Sequence, residues 1–159
     1  MYRRRTQTRE VIRVAIIFGV AAAAVAIDQA TKYAVLHLLN TQRMPLLPFL
    51  DLFVYKNQGI AFGISVPAVV YAVLLAAVFV FMGVLYSWLR TMTLSSAIAL
   101  GFVVGGGVSN ILDRIFRGGV IDWIQFFHSG TINLADVSIT IGIITLLFLL
   151  PRSGEQEKI

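Results

Sequence analysis

Apolar positions along the 159 residues gather into four blocks, separated by short polar stretches or stretches rich in Gly and Pro. The first spans about 11–39, and its uncharged part, Val14 to Ile27, is fourteen residues long. At about 1.5 Å per residue this covers about 21 Å of a hydrocarbon core about 30 Å thick, so the helix continues and carries Asp28 and Lys32 into the outer half of a bilayer. The second block lies within the uncharged stretch Asn57 to Leu89, with its span at about 66–86 and Arg90 at its end. The third runs from Thr93 to Asp113, about 93–113. The fourth, about 135–151, holds an uncharged stretch of fourteen residues from Val137 to Leu150, then Pro151, Arg152 and a polar tail. The pattern predicts an all-α membrane protein, a single integral membrane domain over 1–159 with four transmembrane helices.

Two connections break the helical pattern. Residues 44–63, with Pro45, Pro48, a Phe49 to Tyr55 stretch rich in β-formers and then Asn57, Gly59 and Gly63, predict a small β-rich segment between helices 1 and 2. Gly118 to Phe127 contains VIDWIQFF, an aromatic run suited to the headgroup level, and predicts an interfacial segment between helices 3 and 4.

Composition agrees with a bilayer environment: 58% of residues are hydrophobic, 13% are charged and mean hydropathy is +0.84. The net charge of +5 does not indicate nucleic acid, because Arg3, Arg4, Arg5, Arg9 and Arg13 all precede Val14, where the uncharged run of the first apolar block begins. That placement marks a cytoplasmic flank, and four crossings then put both termini in the cytoplasm. The basic start and alanine-rich run also resemble a cleavable signal peptide, but three further apolar blocks favour an uncleaved first span. The absence of cysteine excludes disulfides, thiol nucleophiles and Cys-ligated metal, and with only His37 and His128 no metal site is expected.

Against this apolar background the few polar residues are informative. Counting from the cytoplasmic side, Asp28 and Asp136 each lie just beyond fourteen apolar residues, and Asn110 and Asp113 reach a similar depth on the third helix. Ionisable groups at membrane depth are costly and mark function, so this outer layer is the candidate site. Asp28 and Lys32, at i and i+4 with the acid first, suit an ion pair of structural or catalytic use. Gly106, Asn110 and Asp113 share a helix face, and Gly105, Gly106 and Gly107 would admit a close helix neighbour. Arg114 is either a charge at the outer interface or a brace for Asp113 or a loop carbonyl. Asn133 and Asp136 read as a helix start, with Asn at the N-cap and an acid at N3. Asp122, inside an apolar run, has no local partner and needs one among Asp28, Asp113 and Asp136.

Two carboxylates held together do not both ionise readily; one keeps a proton while the other activates water, a chemistry that hydrolyses an amide without metal or covalent intermediate. The motifs Asp28-Gln29-x-x-Lys32, Asn57-x-Gly59-x-Ala61-Phe62-Gly63, Gly106-x-x-x-Asn110-x-x-Asp113-Arg114, Val120-Ile121-Asp122 and Asn133-x-Ala135-Asp136, in this order over residues 11–151, closely resemble those of the bacterial lipoprotein signal peptidases, signal peptidase II.

The resemblance implies an intramembrane aspartic endopeptidase of the bacterial cytoplasmic membrane. Its site would face the extracytoplasmic side and cleave prolipoproteins before a diacylglyceryl-modified cysteine. It implies Asp122 and Asp136 as the catalytic pair, supported by Asp28, Lys32, Asn57, Gly106, Asn110, Asp113, Arg114, Asn133 and Ala135. It also implies inhibition by globomycin-type cyclic peptides; contact with membrane lipid, no cofactor and a monomer are further expectations. Ser109 and Ile132 stand where the family commonly has Gly and Phe. The alternative from the residues alone is a small four-helix proton-coupled transporter, which would place its acids near the midplane.

Overall fold

The computed structural model describes residues 2–39, 42–59, 92–127 and 130–149. The expected span at 66–86, together with Ala61, Phe62, Gly63, Arg90, His128 and the tail from residue 150, lies outside the described residues.

Helix α1 runs from Tyr2 to Leu38, so the basic flank is helical and continuous with the apolar block. Helix α2 covers Leu94–Arg117. It starts at Thr93, whose hydroxyl accepts the Ser96 N–H at 3.1 Å, the usual N-cap solution for an orphan first-turn donor. It passes the expected end at Asp113 by one turn and stops at Gly118, whose φ of 68° is the left-handed C-cap conformation. Helix α3 covers Leu134–Leu149. α1 and α2 are long and apolar enough to cross a membrane; α3 is apolar and shorter.

α2 is the central element, packed against α1 on one side and α3 on the other. Three of its glycines make this possible, Gly101 against Val20 and the Ile17 carbonyl of α1, then Gly105 and Gly106. A Cβ at Gly105 would meet the Ala21 carbonyl and Ala24 of α1, and one at Gly106 would meet the Ala135 carbonyl and Ile139 of α3. The expected role of the glycine triplet in close packing thus holds for two members. Among the described residues nothing lies within 4 Å of a Cβ at Gly107, because the helical period turns it away from both α1 and α3.

The two non-helical connections form one structure. Strands β1 (Met44–Leu47), β2 (Leu50–Asn57), β3 (Val120–Phe126) and β4 (Thr131–Ile132) make a four-stranded antiparallel sheet in the order β1-β2-β3-β4. Pro45 lies on the edge strand, where a missing N–H costs no inner ladder bond. The segment after α2, expected as an interfacial piece, is therefore the third strand of the sheet that β1 and β2 begin. Val120, Ile121 and Asp122 at its start are all buried, and after an irregularity between Leu52 and Tyr55 the pairing Tyr55↔Asp122 continues to Asn57↔Val120.

Candidate active site

Asp122 is carried by β3 and is 2% exposed. Its carboxylate accepts an N–H on each oxygen. Asn57 Nδ2 donates to Oδ2 at 3.1 Å, and Asn133 Nδ2 donates to Oδ1 at 2.6 Å. Asn57 lies two residues beyond Tyr55, the pairing partner of Asp122, and so occupies the diagonal position on the same sheet face. Its own Oδ1 accepts the Gly59 N–H at 2.9 Å, which orients the amide with the nitrogen toward Asp122.

Asp136 lies in the first turn of α3 and is half-buried. Asn133 caps that turn: its Oδ1 accepts the Asp136 N–H at 2.9 Å, while Asp136 Oδ2 accepts the Asn133 N–H at 3.3 Å. This reciprocal arrangement is a capping box, and it holds the carboxylate at the positive end of the helix dipole. Asn110 Nδ2 donates to Asp136 Oδ1 at 2.9 Å. Asn133 is consequently both a helix cap and the bridge between the acids. The partner of Asp122, expected among the other acids, is a pair of amides, and Asp136 is linked to it through Asn133.

Burial pushes the Asp122 pKa up to about 6, and the Asp136 charge adds to the rise. The N–H groups of Asn57 and Asn133 and the Lys32 ammonium pull the other way. A carboxyl titrating there carries a proton in roughly a tenth of molecules at neutral pH, which suits it to exchange protons during a reaction.

Beneath the pair is a buried charged cluster. The Lys32 ammonium, with no exposure, lies 2.7 Å from Asp28 Oδ2 and 2.7 Å from Asp113 Oδ2, and donates to Asn110 Oδ1 at 3.2 Å. The expected i,i+4 pair is thus one half of a triad that joins α1 to α2. Asp113 also accepts the Ile121 N–H at 3.1 Å, so it fixes the start of β3 next to Asp122. Arg114 donates to the Asn110 carbonyl at 3.1 Å and to the Gly59 carbonyl at 3.2 Å, which braces the loop that holds Asn57. The Ala135 N–H donates to Asp28 Oδ1 at 2.9 Å. All eleven residues singled out from the sequence belong to this one neighbourhood, Gly106 by supplying the space against Ala135.

A family model described as Signal peptidase (SPase) II matches residues 20–151. The chain belongs to the signal peptidase II family. Among its relatives, the lipoprotein signal peptidase of Bartonella henselae is 37% identical over 132 residues, covering 77% of this chain and 80% of the relative. That of Brevibacillus brevis is 33% identical over 145 residues, covering 87% and 97%. In three dimensions the chain resembles a bacterial membrane enzyme solved at 2.3 Å resolution, with a TM-score of 0.74 and 24% identity over 92% of this chain and 94% of that one. This last likeness concerns the fold.

Three residues of this signal peptidase II family member were not in the expected site. Gln29 Nε2 donates to Asp113 Oδ1 and to Ser109 Oγ, both at 2.9 Å. Arg117 pairs with Asp113 and donates to Gln29 Oε1 at 2.7 Å. Ser109 Oγ donates to Asp28 Oδ2 at 2.6 Å. Arg117 was detectable in principle, since Asp113 and Arg117 have the same i,i+4 spacing as Asp28 and Lys32. Ser109 had no such signal, because its partners lie about 80 residues away.

Proposed function

We propose that this chain is an intramembrane aspartic endopeptidase that cleaves the signal peptide from diacylglyceryl-modified prolipoproteins on the N-terminal side of the lipidated cysteine. The observation that carries the reading is the bridging of Asp122 and Asp136 by one asparagine, in a chain of the signal peptidase II family. The relatives' name, lipoprotein signal peptidase, supports the substrate class.

In this reading the pair holds one proton. The protonated carboxyl polarises the scissile carbonyl, and the ionised one removes a proton from the attacking water. The tetrahedral intermediate then collapses with proton return to the leaving amine of the cysteine. Asn57, Asn110 and Asn133 fix the carboxylate orientations, and the Asp28, Lys32 and Asp113 cluster holds the three helices and β3 in register beneath them. Four spans, cytoplasmic termini and a site at the extracytoplasmic face of the cytoplasmic membrane complete the proposal, along with action as a monomer and inhibition by globomycin-type peptides. A proton-coupled transporter explains neither the family membership nor the sheet that carries Asp122.

The test is cleavage of purified diacylated and unlipidated precursor by wild type, Asp122→Asn and Asp136→Asn. The expected result is lipid-dependent cleavage by wild type, lowered at least about a thousandfold in each variant. Near-normal activity in either folded variant would refute the pair, and equal cleavage of unlipidated precursor would refute the substrate class.

A further inference from the structure

Asp28 pairs with Lys32 through Oδ2, and its second oxygen accepts the Ala135 N–H, one of the orphan donors of the first turn of α3. Asp136 is the next residue. The start of α3 is therefore capped twice, by Asn133 from its own chain segment and by Asp28 from α1. The geometry of that second cap depends on what holds the Asp28 carboxylate. Two donors reach its Oδ2: Lys32 Nζ at 2.7 Å and Ser109 Oγ at 2.6 Å. Ser109 has no exposure and itself accepts from Gln29 at 2.9 Å, so its hydroxyl proton is directed at Asp28.

We propose that Ser109 is a positioning residue for Asp136, acting through Asp28 and the Ala135 N–H; this rests on the reading of Asp136 as one of the reacting acids. A serine hydroxyl here does more than fill space between α1 and α2. It fixes the rotation of the Asp28 carboxylate and with it the entry of α3 into the site.

Ser109→Ala isolates the effect. Gln29 Nε2 keeps Asp113 Oδ1 and the Ser109 backbone carbonyl, so the substitution strands no donor there. Hydrogen exchange, which does not require activity, reads the cap directly: the Ala135 amide is expected to exchange about tenfold faster in Ser109→Ala, the value of one hydrogen bond to a charged acceptor. With lipidated precursor, kcat should fall about tenfold with KM unchanged, and Ser109→Ala should have no further effect in an Asp28→Asn background. Unchanged exchange at Ala135 overturns the proposal, as does an independent, multiplying effect of the two substitutions. Should Asp28→Asn fail to fold, the exchange measurement on Ser109→Ala alone decides. Wild type without cleavage activity would instead refute the function reading and leave the exchange result standing.

Discussion

Asn133 serves a helix and two carboxylates at once, and two substitutions separate these duties. Asn133→Ala removes the cap on the Asp136 N–H, which costs about 1 kcal/mol. It also leaves buried Asp122 Oδ1 without its amide donor, which costs about 1–3 kcal/mol, for a total loss of about 2–4 kcal/mol. Asn133→Ser keeps a capping oxygen and loses only the donor, so it should be about 1 kcal/mol more stable than the alanine variant. Both variants also move a titration. The Asn133 N–H lowers an Asp122 pKa that burial has raised to about 6, so its removal raises that pKa further. Asp122 titrates above its usual 3.8, so its protonated form favours folding: stability is highest below that value and is lost as pH rises through about 6. The destabilisation in either variant should therefore be larger at about pH 8 than at about pH 5. If catalysis needs one proton on the pair, the alkaline limb of the cleavage profile shifts to higher pH. Denaturant unfolding in detergent and the pH profile with lipidated precursor measure these effects. Equal stability of the two variants, or an alkaline limb moved to lower pH, would refute the double role.

Lys32→Met leaves Asp28 and Asp113 buried without their shared cation and should cost about 3–5 kcal/mol, read as a large fall in thermal midpoint; a shift of a degree or two would show that the cluster tolerates its absence. Gly106→Ala places a methyl against the Ala135 carbonyl and Ile139, so it should cost about 1–3 kcal/mol and lower cleavage, while Gly107→Ala, with no described residue within 4 Å, should leave stability unchanged or slightly higher. Equal effects at the two glycines would refute the packing of α3 on α2.

What the sequence determined by itself is what depends on short periods. The apolar blocks marked the helices α1, α2 and α3, because a long uncharged apolar run satisfies its backbone hydrogen bonds within itself only as a helix. The i,i+4 spacing paired Asp28 with Lys32, and the three-residue step from Asn133 to Asp136 fixed a capping box, since both geometries are complete within one turn. The β-formers and prolines near residue 50 marked β1 and β2 for the same reason. The tertiary structure alone decided that the aromatic run after α2 would pair with β2, which places Asp122 beside Asn57. It alone turned the free amide hydrogens of the Asn133 cap toward Asp122 and Asn110, and brought Ser109 and Gln29 together on the Asp28 and Asp113 carboxylates. No sequence period encodes these contacts, because they join elements tens of residues apart. They arise from glycine-limited approach of α2 to its neighbours and from the need of every buried charge on those helices to find a partner.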